Sequence, residues 1–245
     1  MIKQLEVFSA ATSFQEDELR NKTAVMIDVL RASSTIVAAI GNGAKGVIPV
    51  GDMGAGSKIS QSMDSANTLL CGEKDGVKIE GYDLGNSPLE YSPEVVAGKT
   101  IILNTTNGTK ALMRSSLAKD IIVGSFINLK SIVNYLKDKE EIVLVCAGWR
   151  GRLSLEDLLC AGNIITELTG DSLPDGALDG AKVAFGLYEK FGDDIEETIK
   201  SSNHAVRLQG IVESGDLSYC STVSKMDVLP VMQEGIITDF HGKKK

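Results

Sequence analysis

Three apolar runs in this chain each break off into a polar cluster whose residue types could handle an anion. Ala24-Val25-Met26-Ile27 leads into Asp28-Val29-Leu30-Arg31. Ile101-Ile102-Leu103 leads into Asn104-Thr105-Thr106-Asn107-Gly108-Thr109. Ile142-Val143-Leu144-Val145 leads into Cys146-Ala147-Gly148-Trp149-Arg150-Gly151-Arg152. An aspartate in such a place can ligate a divalent cation or serve as base or nucleophile, or simply pair with Arg31 or cap a helix. Guanidinium groups clasp phosphate-like oxygens through paired N–H bonds. Arg31, Arg150 and Arg152 are half of the chain's six arginines, so the clusters are rich in anion-binding groups.

The second cluster reads as a strand-to-helix turn. A helix beginning near Thr109 leaves free N–H groups in its first turn, which bind anions. Gly108 permits close approach, and Thr106, Asn107 and Thr109 add donors. The alternative is an ordinary Asn-Gly turn with Thr109 as helix cap. In the third cluster Cys146 and Arg152 have the C-x5-R spacing of cysteine phosphatases, in which a thiolate attacks phosphorus. A buried core cysteine is the competing reading. Gly148 shapes the same turn, and Trp149 serves either as pocket wall or packing anchor. Glu156 and Asp157 fall in a first helical turn, where they either favour the helix dipole, or salt-bridge the arginines, or one of them acts as general acid or metal ligand. Glu73, Glu80 and Asp83 lie on a segment, residues 71–91, with no helical or core-strand pattern. Together with Asp28 they could gather a divalent cation, which bridges phosphate oxygens.

These groups need a scaffold that delivers strand ends to one place. Apolar, β-branched runs suit strands buried on both faces of a parallel sheet. The patterns predict strands over residues 5–8, 23–29, 46–50, 68–71, 100–104, 120–123 and 141–146. Helices are predicted over residues 33–42, 109–117, 129–137, 154–168, 177–191 and 195–209. A last strand is expected at 228–231, with Pro230 suggesting a sheet edge, and the apolar stretch 235–238 follows it. The expectation is an α/β fold: a mainly parallel sheet flanked by helices, with a helix-rich C-terminal portion from about residue 150, all within a single domain spanning 1–245. Such sheets bind ligands beyond the carboxyl ends of their strands.

Composition narrows the partners. A net charge of −8 argues against nucleic acid, which requires a basic face. The Lys243-Lys244-Lys245 tail, the one basic run, reads as a solvated terminus. No apolar run approaches the roughly 20 residues of a membrane span, and the amino terminus lacks a signal pattern. Cysteines at 71, 146, 160 and 220 form neither a disulfide framework nor a zinc ribbon, which fits a cytoplasmic protein. With only His204 and His241 present, any metal would sit among oxygens, favouring magnesium or calcium over zinc. An exposed apolar helix in the last third could pair subunits into a homo-oligomer.

At these same residues the chain resembles the 2-phosphosulfolactate phosphatase family. The matching blocks are Ile27-Asp28-Val29-Leu30-Arg31-Ala32-Ser33-Ser34-Thr35, Gly41-Asn42-Gly43-Ala44-Lys45 and Gly85-Asn86-Ser87-Pro88-Leu89-Glu90-Tyr91. They continue with Asn107-Gly108-Thr109, then Cys146-Ala147-Gly148-Trp149 through Ser154-Leu155-Glu156-Asp157, and more weakly with Asp216-Leu217-Ser218-Tyr219-Cys220. The resemblance implies an α/β fold distinct from the common phosphatases. It implies a magnesium-dependent hydrolysis of (2R)-2-phospho-3-sulfolactate, a small, strongly anionic substrate, to sulfolactate and phosphate. In methanogens that step belongs to coenzyme M biosynthesis. Magnesium dependence argues against thiolate chemistry and leaves Cys146 as a site-lining residue. From residue chemistry, the expected catalytic set is Asp28, Arg31, Arg150, Arg152 and Glu156. Thr106, Asn107, Gly108, Thr109, Cys146 and Gly148 are expected to cradle substrate, and Asp28, Glu73, Glu80 and Asp83 to hold magnesium.

Overall fold

The computed structural model describes residues 1–211 and 215–240. The lysine tail 243–245 and His241 lie outside them. The chain opens with β1 (Gln4–Phe8) and β2 (Thr23–Ile27), then α1 (Ala32–Gly41), β3 (Gly46–Val50), α2 (Met53–Gln61), β4 (Thr68–Lys74) and β5 (Val77–Lys78). It continues through α3 (Pro93–Val96), β6 (Thr100–Asn104), α4 (Gly108–Arg114), β7 (Asp120–Gly124), α5 (Leu129–Leu136) and β8 (Glu141–Cys146). The last part holds α6 (Leu155–Thr169), α7 (Asp179–Phe191), α8 (Ile195–Lys200), α9 (Asn203–Leu208), α10 (Asp216–Ser221), β9 (Pro230–Gln233) and β10 (Ile236–Asp239).

The strands form one sheet in the order β1-β8-β2-β7-β9-β10-β3-β6-β4-β5. Its central strands are apolar at consecutive positions because both faces are covered. In β2, Val25 and Ile27 join a core shared with α5, α6 and α7, while the intervening Met26 joins a second core shared with α1 and α4. In β8, Ile142, Leu144 and Cys146 face the first core, and Val143 and Val145 pack with Phe14 and Leu19. This alternation is the two-residue period of a strand acting between two layers.

The sheet is mostly parallel but in two blocks. β1, β8, β2 and β7 run together, as do β3, β6 and β4. The β9–β10 hairpin joins the blocks through antiparallel pairings with β7 and β3. Three antiparallel joins make the blocks topologically opposed, so the ends of β2 and β6 would lie on opposite edges of a flat sheet. They meet because strands twist by about 20–25° per step, and β2 and β6 are five steps apart.

Several expectations change. Pro230 begins an interior strand rather than an edge. As the first residue of β9 it takes a position where a missing N–H costs the ladder little. The predicted helix 195–209 is two helices. Ser202 interrupts it and caps α9, its hydroxyl accepting the Ala205 N–H at 3.1 Å. The segment 71–91 is not a free loop: β4 runs on to Lys74 and turns through Asp75-Gly76 into β5. Both turn residues have positive φ, 56° and 89°, the signature of a two-residue Asp-Gly hairpin. β2 ends at Ile27, two residues before the predicted end at 29. Among the described residues, no helix is long and apolar enough to cross a membrane.

Candidate active site

A cleft with about 90 Å³ of water-accessible space opens where β2, β4, β6 and β8 end. It is lined by the buried Asp28, Arg31 and Glu73, by Thr105, Thr106 and Asn107, and by the more exposed Arg150 and Arg207. Trp149 and His204 close another side.

Asp28 sits just past β2 and is 5% exposed. The Ser33 hydroxyl accepts its backbone N–H at 2.8 Å, and its carbonyl accepts the Ser33 N–H, so the first turn of α1 holds its backbone. Its carboxylate faces the start of α4. A β-carbon on Gly108 would lie 2.8 Å from Asp28 Oδ2 and 2.5 Å from the Ala32 β-carbon. Glycine is required there by the approach of the two helices. Burial pushes the Asp28 carboxyl up to about 7, and the negative charges of Glu73 and Glu156 add to it, opposed by His204 and the Ala32 N–H. Among the described residues Asp28 makes no ion pair.

Glu73 links two loops. Its Oε2 accepts the Gly76 N–H and its Oε1 the Thr106 N–H, each at 2.7 Å. The β4–β5 turn and the β6–α4 turn are therefore held to one carboxylate.

Asp157 does the same beneath the cleft. Its carboxylate accepts the Val29 N–H at 2.8 Å and the Gly148 N–H at 3.1 Å, tying the loop after β2 to the loop after β8. Burial raises its carboxyl well above the usual range, with Asp28 and Glu156 contributing. Three acids thus share one desolvated volume, an arrangement that is stabilised by protons or by a cation.

Arg31 is 5% exposed and doubly held: Nη1 donates to Asp216 Oδ2 at 2.7 Å and Nη2 to the Gly76 carbonyl at 2.9 Å. Asp216 in turn accepts the Ser87 hydroxyl. Arg150, at φ 53°, lies over the Trp149 ring at 4.8 Å. Arg207 donates to the Asp75 carbonyl at 3.2 Å. His204 stacks on Trp149, with ring centroids 5.4 Å apart, and its Nδ1 lies 2.7 Å from Glu156 Oε1.

The cleft gathers Asp28, Arg31, Glu73, Thr106, Asn107 and Arg150 from the predicted set, and leaves others outside. Glu80 is exposed beyond β5. Asp83 is pinned to β4 as its Oδ2 accepts the Leu70 N–H at 2.8 Å, which turns its carboxylate to the strand edge. Arg152 is exposed and pairs through its backbone with Trp149 across a tight turn. Thr109 is 2% exposed and satisfied by Thr105, its hydroxyl donating to the Thr105 carbonyl at 2.7 Å. Gly148, at φ 70°, shapes the turn after β8 without lining the cleft. Glu156 lies 1% exposed behind His204 and reaches the cleft only through it.

Cys146 does not line the cleft either. It is fully buried in the apolar core, and burial, with Asp157 nearby, pushes its thiol well above the ordinary value. A thiolate there is disfavoured, and Arg152 is not placed to assist it, so the C-x5-R spacing has no thiolate chemistry behind it. Cys146→Ala is expected to keep kcat/KM within about threefold of wild type. A loss above about 100-fold in a variant with an unchanged melting temperature would restore the thiol to the chemistry.

Sequence reasoning missed Asn86, His204 and Arg207 in the cleft and the bridging roles of Asp157 and Asp216. His204, Arg207 and Asp216 are lone polar residues on six-residue helices and Asn86 lies in a loop, so none carries a spacing signal, and the partners of Asp157 are far from it in the chain. Asp75-Gly76 was the readable clue, since recognising a hairpin there closes the loop onto Arg31 and Arg207.

The donor set fits a hard, oxygen-coordinated cation. Asp28 and Glu73 are the buried acids among the cleft-lining residues, beside the exposed Asp75 that faces Arg207. Asp28 is desolvated without a cationic partner in hydrogen-bond contact, and magnesium characteristically takes one or two carboxylates and leaves its other positions to water and substrate phosphate. Among the described residues, no three His, Cys, Asp or Glu side chains form a closed metal cage, so the predicted four-carboxylate set is not assembled.

Comparison with known proteins gives a consistent result. The sequence model of the family described as 2-phosphosulpholactate phosphatase matches residues 9–235. A probable 2-phosphosulfolactate phosphatase of Caldanaerobacter subterraneus subsp. tengcongensis is 40% identical over 235 residues, covering 95% of this chain and 97% of the relative. Proteins of the same description from Thermotoga petrophila and Clostridium perfringens are 45% and 40% identical, over 88% and 96% of this chain and 91% and 95% of their own lengths.

Proposed function

This chain belongs to the 2-phosphosulfolactate phosphatase family, and from that premise we propose that its cleft hydrolyses (2R)-2-phospho-3-sulfolactate to sulfolactate and phosphate with magnesium held by Asp28 and Glu73. It is a phosphoric monoester hydrolase. The observation that carries the reading is the charge layout of the cleft: the buried acids Asp28 and Glu73 and the buried Arg31 line it together with the more exposed Arg150 and Arg207. A cation between the acids and a multiply charged anion beneath the arginines would satisfy both.

Magnesium bound at Asp28 and Glu73 would neutralise the phosphate oxygens and the charge that develops on them. The protein's own residues supply position and counter-charge. Arg31 is held in place by Asp216 and the Gly76 carbonyl, so it presents a fixed cation without losing side-chain entropy on binding. Arg150 and Arg207 stand at the rim, where sulfonate and carboxylate would find them. Thr105, Thr106 and Asn107 add polar groups along one wall. Fixed groups of this kind stabilise charge in a partly desolvated site more strongly than water does. A cytoplasmic location fits the four free, buried cysteines.

The test is phosphate release from 2-phosphosulfolactate, 2-phospholactate and 2-phosphoglycerate, each with magnesium and with chelator. Release is expected from the sulfonated ester at least about tenfold faster in kcat/KM than from the others, and it stops on chelation. Equal rates on all three would remove the sulfonate from the recognised substrate. Release that survives chelation would remove the cation.

A further inference from the structure

We infer that His204, oriented by Glu156, is the general acid that protonates the departing C2 oxygen of the substrate. The inference rests on the phosphatase reading above and adds the proton donor that it lacks.

The ring is fixed from two sides. Trp149 stacks against it with an interplanar angle of 18°, and Glu156 Oε1 meets Nδ1 at 2.7 Å. Burial pushes the Glu156 carboxyl up, yet the hydrogen bond and charge of His204 outweigh burial and hold it below the ordinary value. An ionised carboxylate only accepts hydrogen bonds. Nδ1 therefore carries a proton, and Nε2 is the nitrogen left for chemistry. Among the described residues nothing hydrogen-bonds to Nε2. A buried carboxylate behind an imidazole at the wall of a cleft is the orienter–acid arrangement of general acid–base catalysis.

The surroundings agree. The charged groups around the ring are Glu156 from α6, Asp28 at the end of β2, Arg150 beyond Trp149, and Arg207 on α9 itself, which is tied to Asp75. His204 and Asp28 line the same cleft and interact electrostatically, so proton donor and phosphate site are adjacent.

The reaction leaves a clear vacancy for a proton donor. Water attacks phosphorus, the P–O bond to C2 breaks, and the electron pair goes to the C2 oxygen. A secondary alkoxide is a poor leaving group. His204 enters the step as the imidazolium, with Nδ1–H held by the Glu156 carboxylate, and gives its Nε2 proton to that oxygen as the bond breaks, leaving the neutral imidazole and the alcohol. The attacking water supplies one proton to the medium, which replaces the one His204 gave. One water is consumed, and no redox partner is involved.

The test compares wild type, His204→Gln and Glu156→Gln with magnesium on 2-phosphosulfolactate and on p-nitrophenyl phosphate, whose leaving group departs without a proton. His204→Gln is expected to lose about 100-fold or more in kcat on the sulfonated ester, and at least about tenfold less of its rate on the aryl ester. Wild type should lose activity on the alkaline side as the acid deprotonates, and this limb should be absent in His204→Gln. Glu156→Gln should lower kcat about tenfold with KM unchanged. A His204→Gln loss equal on both esters, or an alkaline limb that persists in it, would overturn the role while leaving the phosphatase reading intact. A wild type that releases phosphate from neither ester would overturn both. If His204→Gln does not fold, Glu156→Gln carries the test, and a raised KM with unchanged kcat in that variant counts against the role.

Discussion

Asp28→Asn is expected to lose more than about 100-fold in kcat and yet to melt at a higher temperature than wild type at pH 8 without magnesium. Both effects have one cause. The carboxyl sits in a desolvated pocket beside Glu73 and Glu156, which lifts it to about 7. In the unfolded chain an aspartate ionises near 3.9. The folded state therefore holds the proton more tightly than the unfolded state does. The stability associated with that proton is complete below about pH 4 and is lost as pH rises through the folded value of about 7. At pH 8 the metal-free protein carries the full penalty, on the order of a few kcal/mol. Asparagine fills the same space without charge, so it removes the penalty together with the ligand for the cation. Melting curves from pH 5 to 8 in chelator, for both proteins, measure the effect. Wild type should lose stability across this range relative to Asp28→Asn. Magnesium should raise the melting temperature of wild type by mass action and leave the variant unmoved. Near-wild-type turnover in Asp28→Asn, or a lower melting temperature at pH 8, would remove Asp28 from the centre of the site.

Asp216→Ala should produce the largest loss of stability. The Arg31–Asp216 pair is buried on both sides, with side chains 5% and 1% exposed, and is 2.7 Å long. It joins the loop after β2, the β4–β5 turn and α10, while Ser87 binds the other Asp216 oxygen. Removing the aspartate leaves a guanidinium buried with one carbonyl partner. Breaking such a pair costs about 3–5 kcal/mol, or roughly 6–20 °C in melting temperature for a protein of this size. The double variant Arg31→Met, Asp216→Leu should recover most of that, because an apolar pair of similar volume incurs no desolvation cost. It should not recover substrate affinity, since Arg31 lines the cleft. A double variant with restored stability and KM unchanged from wild type would show that Arg31 is structural only. A single variant within about 1 kcal/mol of wild type would show that water reaches the pair.

Much of the architecture can be read from local pattern. The runs at 23–27, 100–104 and 141–146 are strands because their apolar, β-branched residues serve two cores at once. The start of α6 falls next to Ser154 as its pattern suggests, but the Ser154 hydroxyl makes no cap hydrogen bond, and Glu156 and Asp157 are turned to His204, Val29 and Gly148. Where local pattern misleads, a tertiary partner explains it. Pro230 suggests an edge, but β9 is needed to join two parallel blocks, and a proline can begin an interior strand. Asp83 has the chemistry of a metal ligand, but the 82–84 segment runs beside β4 and its carboxylate accepts the Leu70 N–H there.

The site divides in the same way. Asp28, Arg31, Asn107 and Arg150 are legible because each follows an apolar strand, and strand ends are where open α/β sheets bind ligands. That Asp28 faces Glu73, that Asp157 lies beneath both, and that Glu156 acts through His204 are decided only in three dimensions. These residues are separated by tens of positions in the chain and meet through the twist of the sheet and the packing of α6 and α9 over its end. Periodicity and residue chemistry are local properties, readable along the chain. Convergence, burial and the ionisation states that follow from burial depend on which distant surfaces exclude water together, and only the folded arrangement sets that.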